Sequence, residues 1–84
     1  MSKSTFIVTD SWQQISTGEC VVTINTKGSG NIYFNESASD AATWFGNPDR
    51  NSQFLQNDVV NTFVKCDNGT DNYEITVDGA VYSA

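Results

Sequence analysis

The chain has 84 residues and a net charge of −6, from ten acidic and four basic residues, and it contains no histidine. A chain of this length forms one domain and buries only about 60% of the surface that it exposes when unfolded. The basic residues are scattered along the sequence, which disfavours direct binding to nucleic acid or to an anionic membrane. Charged residues make up only 17% of the chain, against about 25% in typical soluble domains, and this suits a protein that packs against others.

The first ten residues contain a β-rich run at residues 5–9. They form either an edge strand or an N-terminal arm that reaches a neighbouring copy, and both remain open. The apolar run at residues 6–8 is far shorter than the roughly 7–15 residues of a secretion signal, so we expect the protein to fold in a reducing cytosol. There Cys20 and Cys66 are expected to be buried thiols, with one disulfide between them as the alternative.

Residues 11–26 alternate apolar and polar side chains, so that Cys20, Val22 and Ile24 share one face of an extended segment. We expect two strands here that meet in a tight reversal at Gly18. That alternation requires a second layer against which the apolar face is buried.

Two glycines in residues 27–31 predict a turn, because each is free to adopt positive φ. We expect residues 32–34 to pair with residues 20–26 as a hairpin beyond it. A phosphate-binding loop is excluded, since the third glycine, the following helix and the lysine of such loops are missing.

Residues 35–50 are the irregular part of the chain. Ser39 or Asp40 is suited to cap one helical turn, which Pro48 would end. Trp44 and Phe45 in this loop either cover an open end of the domain or form an exposed contact patch.

The last third of the chain predicts three more strands, at residues 52–56, 59–66 and 73–78, with an Asn-Gly hairpin turn joining the last two and Gly79 bending the chain into a tail. About seven short strands with almost no helix predict an all-β fold in a single domain, residues 1–84. We expect a small antiparallel β-sandwich of the immunoglobulin-like or jelly-roll-like kind, with a small β-barrel as the alternative. In residues 59–66 both faces carry apolar residues, as a central strand would: one face has Val60, Thr62, Val64 and Cys66, and the other has Val59, Asn61, Phe63 and Lys65. In residues 73–78, Tyr73, Ile75 and Val77 share one side.

The usual pairs of nucleophile and base are missing, because the chain has no histidine and its thiols are expected to be buried. Asp67 and Asp71 flank one turn, where acidic residues most often stabilise the turn itself. With Asn68 and Asn72 they offer oxygen ligands for calcium, although their spacing is not that of an EF-hand loop. We therefore expect no enzyme activity, no metal site and no cofactor.

Residues 11–24, SWQQISTGECVVTI, and residues 28–34, GSGNIYF, resemble the small virion proteins of tailed bacteriophages. Those proteins tend to open with a Trp-containing strand, pass a glycine turn and end with an apolar strand, a turn and a final strand. Residues 59–66 and 73–79 would be that ending. The polar, Ala-rich residues 35–50 depart from the apolar or proline-bearing loop that the resemblance would place there.

The resemblance implies a structural role, foremost as a head decoration (cement) protein that binds the outer capsid lattice and stabilises it. It implies a place in the virion after synthesis in the host cytoplasm, with the major capsid protein or other virion proteins as partners. It also implies a homo-oligomer, for which the family suggests a trimer. The side chains that we expect to make partner contacts are Phe6, Ile7 and Val8 in the arm, and Trp44 and Phe45 in the loop.

Three other functions are compatible with the residues. The first is a small tail, neck or fibre component of the virion. The second is a binding module for host-surface glycan, in which Trp44 or Trp12 stacks on a sugar ring beside Asn and Asp side chains. The third is an inhibitor that mimics DNA by its charge, and the modest density of acidic residues argues against it.

Overall fold

The computed structural model describes residues 2–38, 44–67 and 72–83, and these form seven β-strands whose pairings are all antiparallel. The predicted all-β fold with about seven short strands is confirmed. Within these ranges no helix is long and apolar enough to span a membrane, and the helical turn expected at Ser39 or Asp40 lies outside them. The strands are β1 (Ser2–Ile7), β2 (Gln13–Thr26), β3 (Ile32–Asn35), β4 (Trp44–Gly46), β5 (Gln53–Gln56), β6 (Thr62–Cys66) and β7 (Glu74–Val81).

The strands form one sheet in the order β1-β7-β2-β6-β3-β4, with β5 paired to β2 beside this path. The first half of β2 pairs with β6 and its second half with β5, while β7 also pairs with β2. The backbone N–H of Val8 donates to the carbonyl of Tyr73, and the N–H of Cys66 donates to the carbonyl of Thr9. The segment after β1 therefore touches both β7 and β6, and the sheet curls around a single core.

Alternate side chains of the strands fill this core, as the period of two in an extended chain requires. The apolar face predicted for β2 is buried, and Ile75 and Val77 of β7 share one buried side as expected. In β6 the buried face is that of Thr62, Val64 and Cys66, whereas Val60 precedes the strand and is only half-buried. Both cysteines are buried thiols that form no disulfide. Burial of these apolar side chains is the main source of stability in the fold. The core consists of Val8, Ile15, Cys20, Val22, Ile24, Ile32, Val64, Cys66, Tyr73, Ile75 and Val77.

The predicted reversal at Gly18 is wrong, because residues 13–26 form one continuous strand of 14 residues. The pairing of β2 with β7 changes register between Ser16 and Cys20, so Gly18 lies in an irregular part of the strand and not in a turn. A Cβ on Gly18 would lie 3.4 Å from the Cβ of Ala80. This is an ordinary van der Waals distance, and the φ of Gly18 is not positive, so neither space nor backbone conformation requires a glycine there.

The predicted hairpin between residues 20–26 and 32–34 is also wrong, because β3 pairs with β4 and β6. The second half of β2 already pairs with both β5 and β7, so no edge remains for β3. Gly30 does adopt positive φ, at 76°, but its turn carries the chain across to β6. The hairpin expected between β6 and β7 is wrong for a related reason, since β2 lies between these two strands; residues 68–71 of its turn lie outside the described ranges.

Three boundaries differ from the expected ones. β1 starts at Ser2 and is an edge strand paired to β7, which is one of the two alternatives for the N-terminal residues. β6 begins at Thr62, and Val59 before it is exposed. Gly79 lies inside β7 and pairs with Cys20 and Ser2, so it does not end the strand.

Candidate functional site

A row of aromatic side chains lies on the outside of the half-sheet formed by β4, β3, β6 and the start of β2. The strand register places Phe45 beside Tyr33, and Tyr33 beside Lys65. The rings of Tyr33 and Phe45 lie 6.0 Å apart at an interplanar angle of 31°. The Nζ of Lys65 lies 5.5 Å from the ring centroid of Tyr33 and 5.2 Å from that of Trp12. With Phe63, which alternation places on the same side of β6 as Lys65, these residues form what we call the outer face.

A carboxylate fixes the middle of the outer face. Asp67 accepts hydrogen bonds from the hydroxyl of Tyr33 and, at 2.8 Å, from the backbone N–H of Asn31. The hydrogen bond from Tyr33, followed by that from Asn31, lowers the pKa of Asp67 below its ordinary value. The same hydrogen bond to Asp67 raises the pKa of Tyr33. Asp67 is therefore ionised and Tyr33 protonated at neutral pH, so the Tyr33 ring is held in place before any partner binds.

A second set of hydrogen bonds fixes the end of β4 that leads away from the outer face. The side-chain amide of Asn47 donates to the hydroxyl of Tyr73, at 2.8 Å, and to the carbonyl of Gly30. The hydroxyl of Tyr73 in turn donates to the same carbonyl at 2.8 Å, and burial raises its pKa. This network attaches the segment after β4 to a core tyrosine, so the position of the short strand does not depend on its pairing with β3 alone.

Trp44 and Phe45 are neighbours in β4, and their side chains lie on opposite sides of the strand. The Trp44 ring lies 5.7 Å from the ring of Phe34 and 4.7 Å from that of Phe54, where the packing is edge-on. Because Phe54 belongs to β5, this contact joins two strands that are not hydrogen-bonded neighbours in the sheet of the described residues. We call the opening between β4 and β5 the cleft.

The cleft has an aromatic floor and an uncharged polar rim. Its volume is about 390 Å³, and the side chains that line it include the three rings already described and the polar residues Gln53, Gln56 and Thr62. The amide of Gln56 donates to Thr62 Oγ1 at 3.4 Å and accepts from the N–H of Asp58 at 3.1 Å. The amide of Gln53 donates to Thr23 Oγ1 at 3.3 Å. Alternation along β5 places Gln53 and Thr23 on the side opposite Phe54, so Gln56 is the amide that is held at the rim.

The residues predicted to make partner contacts divide into accessible and buried ones. Phe45 is 61% exposed, Ile7 52% and Trp44 47%. Phe6 is half-buried against the core, and Val8 is completely buried. Val8 therefore belongs to the core and is not available as a contact, which corrects that part of the prediction. The two clusters are not brought into one site by strand pairing, since β1 and β4 stand at opposite ends of the strand order.

The other members of the outer face were missed by the sequence analysis. Tyr33 and Lys65 alternate with the buried Ile32, Val64 and Cys66, and this alternation is a signal from which their outward direction could have been predicted. They are neighbours, however, only because β3 pairs with β6. The sequence predicted that β3 would pair with residues 20–26, so this contact was not foreseen. Trp12 joins the row because the start of β2 pairs with β6.

Among residues 2–38, 44–67 and 72–83, no three side chains of the metal-binding types come together. Asp71 and Asn68, two of the residues considered as calcium ligands, lie outside these ranges. No protein-family model, curated protein or solved structure matches this chain. The side chains of the outer face and the cleft are thus the features from which a function is inferred.

Proposed function

We propose that this protein is a structural component of a tailed-bacteriophage virion, and that it decorates the outside of the head by docking through its outer face. The observation that supports this proposal is the aromatic row of Trp12, Tyr33 and Phe45 on a chain with only 17% charged residues. Cores of protein interfaces are enriched in aromatic residues and depleted of charge. Trp and Tyr are also among the residue types that most often dominate binding energy. The resemblance of residues 11–24 and 28–34 to small virion proteins supplies the kind of partner.

The fixed geometry of the outer face favours such docking. The hydrogen bond to Asp67 and the packing against Lys65 and Phe45 restrict the Tyr33 ring in the free protein. Ordering a flexible side chain on binding costs about 0.5–1.5 kcal/mol, and a ring that is already fixed avoids most of that cost. Lys65 lies between two rings, and together with the ionised Asp67 it gives the outer face one charge of each sign.

Decoration would stabilise the capsid by mass action. A protein that binds the assembled lattice but not the free or ruptured subunits shifts the equilibrium toward the lattice. At a free concentration of 100 times the dissociation constant, each occupied site contributes about 2.7 kcal/mol. Many copies on one head then oppose rupture without any chemical reaction.

The test is co-sedimentation of the purified protein with phage heads that have been stripped of accessory proteins. We expect saturable binding with a stoichiometry that matches the capsid lattice. Replacing both Trp12 and Phe45 by alanine should lower the affinity by about tenfold or more, because it removes two aromatic contacts. The matched control is Leu55→Ala, which truncates a 66% exposed side chain on β5, away from the outer face, and should bind as the wild type does.

Two outcomes would contradict the proposal. If the folded double variant decorates heads at wild-type occupancy, the outer face is not the docking surface. If the wild type does not bind heads, the head role is lost, and the same assay with purified tails, necks and fibres tests the other places in a virion. Circular dichroism of each variant shows whether it is folded.

We also propose that copies of the chain associate through β1. Strand β1 pairs only with β7 among the described residues, and an edge strand of this kind is a template for pairing with a second chain. Ile7 on β1 is 52% exposed and would be covered by such pairing. This surface lies on a different strand from the outer face, so one copy can contact both a neighbour and the capsid.

A further inference from the structure

The cleft between β4 and β5 has the composition of a small-ligand site, and we propose that it binds a neutral sugar ring. Its floor is formed by the rings of Phe34, Trp44 and Phe54, of which Trp44 remains 47% exposed. One face of a sugar ring carries C–H groups that pack on an aromatic ring, while the edge of the sugar carries hydroxyl groups. An aromatic floor with hydrogen-bonding groups at its rim matches both parts of such a ligand.

The amide of Gln56 at the rim is suited to hydroxyl groups. A hydroxyl both donates and accepts, and a glutamine amide has two donor hydrogens and an acceptor oxygen. Gln56 uses one donor on Thr62 and accepts once from Asp58. Its amide is therefore oriented while it keeps a second donor hydrogen for a ligand.

The electrostatics of the cleft disfavour an anionic ligand. No charged side chain is among the described residues that line it, and Glu36 borders the adjoining opening beside Trp44. An anionic ligand would meet no cation there and would approach a protein of net charge −6. The cavity of about 390 Å³ falls within the range of about 300–1,000 Å³ that is typical of small-molecule sites.

This inference does not rest on the proposed virion role, because the two sites use opposite sides of β4. Trp44 contributes to the cleft, and its neighbour Phe45 contributes to the outer face. Alanine at one position leaves the other ring in place. The pair Trp44→Ala and Phe45→Ala therefore separates sugar binding from head binding.

The experiment is a fluorescence titration of a Trp12→Phe variant, in which Trp44 is the only remaining tryptophan of the two in the chain. The probes are neutral oligosaccharides of glucose, galactose, mannose or N-acetylglucosamine, chosen after a glycan-array screen of the wild type. We expect at least one of these sugars to bind and to shift the Trp44 emission to shorter wavelength. Trp44→Ala should weaken array binding by about tenfold or more, whereas Phe45→Ala should leave it unchanged and Trp44→Phe should retain part of it.

Several results would overturn the inference. These are the absence of binding to every neutral sugar at millimolar concentration, unchanged binding by folded Trp44→Ala, and binding confined to charged saccharides or to extended peptides. If Trp44→Ala does not fold, Gln56→Ala at the rim is tested in its place with the same expectation. If Phe45→Ala loses head binding but keeps sugar binding, the outer face binds heads and the cleft is unaffected. If Trp44→Ala loses sugar binding but keeps head binding, the cleft binds the sugar and the outer face is unaffected.

Discussion

Gly79 lies in the middle of β7 with φ at +130°, a backbone conformation that is open almost only to glycine. A Cβ at this position would lie 2.6 Å from the carbonyl oxygen of Glu19 and 3.0 Å from the Cα of Cys20. Both contacts are with backbone atoms of β2, which cannot rotate away. We expect Gly79→Ala to lower the free energy of unfolding by about 2 kcal/mol or more, from strain and displacement of β2, as measured by urea denaturation.

Gly18 is the matched control for this substitution, because it lies beside the same junction of β2 and β7. A Cβ on Gly18 would lie 3.4 Å from Ala80 and 3.8 Å from Val59, which is ordinary contact, and its φ is not positive. Gly18→Ala should therefore change stability by less than about 1 kcal/mol. Equal costs at the two positions would show that crowding near Ala80 matters as much as the positive φ of Gly79.

Asp67 makes stability depend on pH. Folding lowers the pKa of Asp67, first through the hydrogen bond from Tyr33 and then through that from Asn31. The resulting stabilisation is fully present above the unfolded-state pKa of about 3.9 and is lost as the pH falls through the lower, folded-state pKa. Between about pH 5 and pH 2, the wild type should lose more stability than Asp67→Asn, as measured by urea midpoints at each pH.

Tyr33→Phe serves as the control for the cause of this effect. It removes the donor that contributes most to the lowered pKa of Asp67 but keeps the aromatic ring in the outer face. On acidification, Tyr33→Phe should lose more stability than Asp67→Asn, but by a smaller margin than the wild type does. Parallel curves for the wild type and Asp67→Asn would mean that the carboxylate is not held differently in the folded chain.

At the scale of strands, alternation of apolar and polar residues was sufficient to predict the buried face of β2, where Cys20, Val22 and Ile24 lie inward as expected. Ile75 and Val77 of β7 likewise share one buried side. In β6 both faces carry apolar residues, so alternation alone did not decide which face is buried. A strand has a side-chain period of two, so a short run of residues already determines its faces. The buried state of the cysteines follows from equally local evidence. The expected number of strands agrees only because the predicted division of β2 into two strands offsets β4, which lies in a segment expected to be irregular.

Strand pairing could not be predicted in the same way, because it depends on residues that are far apart in the chain. Glycines at positions 18 and 30 both suggested turns, yet Gly18 lies inside a 14-residue strand. Gly30 does turn the chain, but whether the next strand returns to β2 or crosses to β6 depends on which edges are already occupied. The residue types around Gly30 do not indicate which strand edges are already paired.

The same limit applies to the candidate site. Trp44 and Phe45 were recognisable as large side chains in a polar stretch, and both are exposed. The row that Phe45 joins exists only because β6 lies between β3 and the start of β2. Its members Tyr33 and Lys65 are 32 positions apart in the sequence and meet through the register of β3 and β6. The order and pairing of the strands therefore determine which side chains form this surface.

At the scale of the whole molecule, net charge opposes the proposed self-association through β1. Each copy carries a charge of −6, and charges repel over a screening length of about 10 Å at 0.1 M salt and about 3 Å at 1 M. Raising the salt concentration should therefore weaken the repulsion and leave backbone pairing and apolar contact at Ile7 largely unaffected. We expect the mass of the wild type, measured by light scattering, to rise between low and high salt toward a defined oligomer.

Ile7→Lys should abolish that rise, because it replaces a 52% exposed apolar side chain on the edge strand with a charge that must be desolvated on pairing. The control is Phe45→Ala, which truncates a 61% exposed ring on the outer face and leaves β1 unchanged. If Phe45→Ala abolishes the rise and Ile7→Lys does not, copies associate through the outer face. Self-association would then cover the surface that is proposed to dock on the capsid. If Ile7→Lys alone abolishes it, copies associate through the edge strand, and the outer face remains accessible for the proposed docking on a capsid lattice.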